Sequence, residues 1–360
     1  MRCGLFLAAL GCGLLTLPAA VRAEELPPKY QEAIDRGLEW LARQQHRAGY
    51  WEGNGGQYPI ALTGLAGMAL LMEGSTIRDG KYSANIARAV DWLMARSQPN
   101  GLLGDPRNDR EVGRYMYGHG YAMLFLSCVY GEEEDGERRR RLEDILTRAV
   151  LFSGQAQSST GGWNYVSARD SGDHHEGSVT ITQVQALRAA RNAGIVVPKE
   201  IIDKAHDYLK KSMTPDGGVM YRLGQGNARP ALAAQAITCL FSAGEYHSEH
   251  AKKMLRYCQI NLPLTGGAAG RFGHFEYTHY YYSQVHYALG DDGFAKLFPE
   301  SKESERLTWS KYKAVMFDQL VSMQQPDGSW QMSYIGPVYT TACFLAILQL
   351  EKGALPIYQR

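Results

Sequence analysis

The segment QQPDGSWQM, Gln324 to Met332, closes one helix-like run and opens another. Pro-Asp-Gly breaks a helix and lets the chain reverse, yet a tryptophan stands two residues past the glycine. So large an apolar ring needs somewhere to go. The design recurs as QQHRAGYWEG from Gln44, QPNGLLGD from Gln98, QSSTGGWNY from Gln157, TPDGGVMY from Thr214 and, loosely, GGAAGRFGHF from Gly266. The glycines Gly49, Gly101, Gly161, Gly217, Gly270 and Gly328 are spaced by 52, 60, 56, 53 and 58 residues. Self-similarity at a near-constant period marks a repeat architecture.

Each turn lies between two kinds of helical segment. Those before it, such as YQEAIDRGLEWLARQQ, are amphipathic, with Ile34, Leu38 and Leu41 on one stripe and charges opposite. Those after it, such as PIALTGLAGMALLM and PVYTTACFLAILQL, are apolar nearly all round, as helices covered on most sides are. Six one-sided and six fully covered helices predict two concentric rings, because one helix pair cannot bury its apolar face alone but a closed circle of six can. The fold class is therefore all-α, an α/α toroid (an α6/α6 barrel), with no long stretch of strand-like alternation. At each turn the glycine lets the chain reverse. The ring that follows packs back on the helix ends, and the leading glutamine ties one repeat to the next. Trp51, Trp163 and Trp330 are read as structural staples.

Glutamine, glycine and tryptophan at these offsets, closest in QQHRAGYW and QQPDGSW, resemble the prenyltransferase and squalene-cyclase repeat superfamily. The resemblance covers essentially the whole chain after its leader and implies a single toroid domain over residues 24–360. It is weaker for activity, since that fold hosts triterpene cyclases, protein prenyltransferase β subunits and thioester domains. The chain departs from each. There is no Asp-x-Asp-Asp motif, GDDG at Gly290 lacking the first aspartate. No Asp-x-Cys pair stands at an inner-helix start to bind zinc, and Cys343 lies well inside its segment. Cys-Gly-Glu-Gln is absent.

Residues 1–23 read as a secretory signal peptide, with Arg2, an uncharged apolar run over 4–17 and a small-residue site ending at Ala23. The expected location is outside the cytoplasm: periplasmic, cell-surface or extracellular. Of 38 Lys and Arg, two fall in the leader, leaving 36 basic against 37 acidic side chains. That balance gives no electrostatic case for nucleic acid, and no second apolar stretch is long enough to be an integral membrane segment. Cys128, Cys239, Cys258 and Cys343 are far apart and read as small buried side chains, with a Cys239–Cys258 pairing left open.

Candidate chemistry lies where the inner helices begin, at one mouth of the ring. YVSARDSGDHHEGSVT is the longest and most polar connection and holds His175 and Glu176, with Asp173 or Ser178 as a helix cap. FGHFEYTHYYYSQVHYALG places His279 and His286 on one face with Tyr281 and Tyr282. GRYMYGHGYAM sets His119 between two glycines after Arg114, Tyr115 and Tyr117, and Arg229 opens the fourth apolar helix. His119, His175, Glu176 and His279 are the expected acid–base or ligand groups; Tyr117, Arg229, Tyr281, Tyr282 and His286 are the expected substrate contacts. Beside this stands a structural reading, in which the histidines and tyrosines form a hydrogen-bonded core network.

Such a mouth suits a polar or anionic ligand, a small molecule or a polysaccharide such as an acidic sugar, and a lysis or hydrolysis reaction if the protein is an enzyme. Two alternatives remain. One is an isoprenoid enzyme using unfamiliar residues, which requires an aromatic, largely apolar cavity. The other is a non-catalytic binding or scaffold protein at the cell surface, which predicts scattered, individually bonded histidines. Metal and cofactor are both left unknown.

Overall fold

The apolar periodicity is realised as fourteen helices in a computed structural model that describes residues 26–359 apart from 107, 109, 112 and 266–273. The leader therefore lies outside the described residues, as does Gly270 of the fifth turn. In order the chain forms α1 (Pro28–Arg43), α2 (Pro59–Met72), α3 (Ser83–Met94), α4 (Tyr115–Glu132) and α5 (Gly136–Ala156). There follow the short α6 (Ala168–Ser171), α7 (Gly177–Asn192), α8 (Lys199–Lys211), α9 (Pro230–Ser242) and α10 (Glu249–Asn261). The last are α11 (Phe275–Leu289), the short α12 (Gly293–Leu297), α13 (Trp309–Ser322) and α14 (Pro337–Leu348).

The two segment types separate into two layers. All fourteen residues of α2 are buried, as are nearly all of α7 and α14. Each inner helix packs on the next, α2 on α4, then α7, α9, α11 and α14, and α14 returns to α2. The amphipathic α1, α3, α5, α8, α10 and α13 surround them. This is the all-α toroid that the repeat predicts. No described helix is long and apolar enough to cross a membrane. One feature was not legible: β1 (Met220–Arg222) and β2 (Gln225–Ala228) form a small antiparallel hairpin before α9.

The turns show why the repeat has its residues. Gly328 has φ +97°, and a Cβ there would stand 2.5 Å from the Arg36 carbonyl. Both the left-handed backbone and the close approach to the neighbouring outer helix require glycine. Gln324 Nε2 donates to Gly328 O at 2.9 Å within the turn and to Ala33 O at 2.8 Å on α1. Gln45 and Gln157 do the same to Asn85 on α3 and Ile201 on α8. In the last repeat this bond closes the ring onto the first. Gln324→Ala should cost about 1–2 kcal/mol in urea unfolding, since it frees two backbone carbonyls. An unchanged midpoint would mean that water replaces the tie at no cost.

The tryptophans repeat one geometry. Trp51, Trp163 and Trp330 are fully buried. Their indole N–H groups donate to Leu41 O at 2.7 Å, Ser153 O at 2.8 Å and Leu320 O at 2.6 Å, ten residues back in each outer helix. Their backbone N–H groups donate to Thr63, Thr180 and Thr341 on the inner helices. Each ring thus satisfies one carbonyl near the outer helix's end.

Candidate functional site

The inner helices begin at one mouth, and their N-cap residues are Tyr58, Arg114, Glu176, Arg229, His274 and Gly336. Four of these, Tyr58, Arg114, Arg229 and His274, line one cavity of about 260 Å³. That is just below the roughly 300–1,000 Å³ of common small-molecule sites. Helix N-termini present a partial positive charge, so the four that meet at this cavity favour an anion. Tyr58 and His274 have φ +54° and +61°, a region non-glycine residues seldom occupy. Strain of this kind gathers at ligand sites.

Eight tyrosines complete the wall: Tyr58, Tyr117, Tyr121, Tyr165, Tyr221, Tyr277, Tyr334 and Tyr339. Ala61, Leu62, Leu65, Leu232 and Ile335 add an apolar lining. The hydroxyls of Tyr165 and Tyr221 are hydrogen-bonded to each other. The Arg114 guanidinium lies 5.0 Å from the Tyr165 ring centroid, and that of Arg229 lies 4.2 Å from the Tyr221 centroid. Arginine, tyrosine, tyrosine and arginine thus form a continuous arch. Stacking engages the guanidinium faces and leaves N–H groups for a ligand. Neither arginine has an ion-pair partner among the described residues.

No family model matches the chain. Human lanosterol synthase is 33% identical over 123 residues, a match covering 32% of this chain and 17% of that enzyme. The chain therefore spans less than a fifth of the length of this curated relative. A type II terpene cyclase from Scytonema, solved with geranylgeranyl dihydroxybenzoate, superposes with a TM-score of 0.55 at 15% identity, covering 91% of this chain and 98% of the other. An α-1,6-mannanase of Salegentibacter sp., solved with α-1,6-mannotetrose, superposes with a TM-score of 0.62 at 11% identity, covering 90% and 99%. The chain has the α/α toroid fold of these two structures.

Within this toroid the expected site residues divide. Tyr117 and Arg229 line the cavity. Tyr281 stands one layer behind, its hydroxyl 3.4 Å from that of Tyr121. Glu176 is buried beside the mouth as the N-cap of α7, accepting from the Ser178 and Val179 N–H groups. The cap is thus Glu176, and neither Asp173 nor Ser178; Asp173 instead accepts from Ser159 at 2.7 Å.

The histidines do not converge. His119 is the fifth residue of α4, the place that Thr63 and Thr341 hold in α2 and α14. Its Nδ1 accepts from the Leu103 N–H at 3.1 Å, as those threonines accept from tryptophan, and its Nε2 meets Ser153 at 2.9 Å. Its two flanking glycines admit neighbouring helices: a Cβ at Gly118 would lie 3.0 Å from Ile60, and one at Gly120 2.7 Å from Thr182. His279 holds the same fifth place in α11 and bonds Tyr312 of α13 at 2.8 Å. His286 stacks on Tyr312 at 4.7 Å, and Tyr282 packs edge-on against it. Burial pulls His119 down to about 4 and both His279 and His286 down to about 3. His175 sits half-buried at the rim, 3.1 Å from the Tyr208 hydroxyl. Among the described residues no group of three or more His, Cys, Asp or Glu side chains is placed to hold a metal, and all four cysteines are free, Cys239 and Cys258 included.

Sequence reading missed Tyr165 and Tyr221. Both stand four residues after a turn glycine, Gly161 and Gly217. A polar aromatic residue at a constant offset in adjacent repeats is the signal that could have found them.

Proposed function

We propose that this chain is an exported toroid whose mouth takes a polar ligand bearing an anionic group, with an acidic sugar or uronate polysaccharide as the favoured class. The observation that carries this reading is the arch of Arg114, Tyr165, Tyr221 and Arg229. Two arginines without carboxylate partners among the described residues keep N–H groups for an acid, which they can grip bidentately. The tyrosine rings offer flat faces to a sugar ring, and their hydroxyls offer donors and acceptors. The oligosaccharide-bound mannanase and the terpene cyclase are toroids that use this kind of scaffold for small or chain ligands.

The test is calorimetric titration of the mature chain with a galacturonate oligosaccharide. Binding is expected to weaken roughly 10–100-fold in Arg229→Ala, the worth of a lost charge-assisted contact, and to weaken as salt rises. Binding that ignores both Arg229→Ala and Arg114→Ala would overturn the reading.

A second reading rests on a separate observation. Ala61, Leu62, Leu65, Leu232 and Ile335 share the lining with tyrosine faces, which suits an isoprenoid body. It predicts that a neutral isoprenoid alcohol competes with the uronate probe. Lack of competition at saturating alcohol argues against it.

A further inference from the structure

Glu176 is fully buried, yet its reach extends to the cavity. Among the described residues α7 is the one inner helix capped by the side chain of its own N-cap residue, a glutamate, while α2 takes Glu111 from a distant loop on its Ile60 N–H. Capping by itself engages the Val179 N–H at 2.5 Å and the Ser178 N–H at 3.0 Å. The carboxylate also accepts from the Ser178 hydroxyl at 2.7 Å. That hydroxyl in turn lies 2.5 Å from the Tyr117 hydroxyl. Tyr117 and Ser178 both line the cavity.

Hydrogen counting gives this chain a direction. A serine hydroxyl has one proton. With Glu176 ionised, Ser178 donates to it, Tyr117 donates to Ser178, and Tyr117 turns lone pairs toward the cavity. With Glu176 protonated every bond reverses, and Tyr117 donates into the cavity. The state of a carboxyl that solvent cannot reach is thereby expressed at the ligand.

We infer that Glu176, Ser178 and Tyr117 form a proton relay opening onto the cavity, with Tyr117 the catalytic residue that takes a proton from an anionic substrate or returns it. For its substrate this rests on the anion reading; for its existence it does not. With an acidic sugar the proton is that of the carbon bearing the carboxylate. The C–H bond breaks and its electron pair stays on the substrate as an enolate. The proton bonds to Tyr117 Oη, the proton of Tyr117 passes to Ser178 Oγ, and that of Ser178 passes to Glu176. One proton reaches Glu176, and one negative charge moves from Glu176 to the substrate, beside Arg114 and Arg229. No further reagent is required. Burial holds the Tyr117 hydroxyl well above its ordinary value, so it stays protonated and can accept a proton only as it passes its own to Ser178; burial also raises Glu176. The groups acting on Glu176 include Arg222 of β1, whose charge favours the ionised form. Tyr165, Tyr221, Tyr208 of α8 and Tyr277 of α11 stand within its field.

Two measurements decide the matter. In the ligand-free chain, the infrared carbonyl band of a protonated buried carboxyl is titrated against pH. A band lost in Glu176→Gln and displaced in both Ser178→Ala and Tyr117→Phe is expected; a band or midpoint indifferent to Tyr117→Phe overturns the relay. Separately, deuterium exchange from solvent into a galacturonate oligosaccharide is followed by NMR. Tyr117→Phe and Glu176→Gln should slow exchange by roughly 10²–10⁴-fold, the range of general acid–base catalysis, while calorimetric affinity changes little. Arg229→Ala should act on affinity instead. Binding without exchange in the wild type overturns the role of Tyr117. Absence of binding overturns the anion reading, and the infrared titration then decides the relay by itself.

Discussion

Trp330→Ala should lower the free energy of unfolding by about 3–5 kcal/mol, the range for removing a large buried aromatic ring. Three features of the site put it at the upper end. The ring is fully buried between the last repeat and the first, since a Cβ on Gly37 of α1 would stand 2.7 Å from its six-membered ring. It also lies edge-on to Phe344, with centroids 6.0 Å apart. Its indole N–H satisfies Leu320 O at 2.6 Å, which truncation leaves without that donor. Trp330→Phe keeps most of the apolar volume and forfeits the N–H, so it should cost about 1–2 kcal/mol. Guanidinium unfolding followed by circular dichroism measures both. The position also makes a prediction about cooperativity. Gln324, Arg36 and Trp330 together join the ends of the ring, so Trp330→Ala should reduce the denaturant slope or split the transition. Trp163→Ala, within the ring, should lower stability without splitting it. A loss below about 1 kcal/mol in Trp330→Ala would remove the tryptophan from its role as staple.

The turn is where sequence and structure agree most closely, because one local pattern there answers several physical demands at once. Gly328 must be glycine for its φ and for the Arg36 carbonyl, Gln324 must reach two carbonyls, and Trp330 must reach a third. Demands repeated in several copies leave a signal that spacing alone can detect. The mouth is different. Its cap residues, Tyr58, Arg114, Glu176, Arg229, His274 and Gly336, occupy equivalent places but share no common residue, arginine alone appearing twice. A repeat search therefore passes over them. Tyr117 and Arg229 were legible as cavity residues because they open inner helices. His119 looked like chemistry because histidine between glycines is unusual, yet it stands where other repeats use threonine to hold the turn. Which face of a buried helix meets the cavity and which meets the outer ring depends on rotation, and an all-apolar helix carries no stripe from which to read it. Tyr282 and His286 turned outward, to Tyr312, for that reason.

The same histidines give the protein an acid sensitivity that can be assigned residue by residue. His119 titrates at about 4 in the folded chain because burial disfavours its charged form, against an ordinary value near 6.5. Above pH 6.5 it is neutral in both folded and unfolded states and costs nothing. As pH falls below 6.5 the unfolded chain takes up a proton that the folded chain refuses, so stability drops by about 1.4 kcal/mol per pH unit until about pH 4. Glu111, raised by burial to about 7, and Glu176 act in the opposite sense, since the folded chain protonates first. The wild-type profile is therefore a sum, and the difference from a variant isolates one residue. His119→Gln can still accept from Leu103 and donate to Ser153 without titrating. Between pH 6.5 and 4.5 the stability of His119→Gln relative to the wild type should rise by about 2–3 kcal/mol, with little change between pH 7 and 8. Urea unfolding at each pH measures this. A difference that stays flat across that window would place the His119 imidazole in contact with water, and with it would go the reading of His119 as the threonine substitute that holds the second turn.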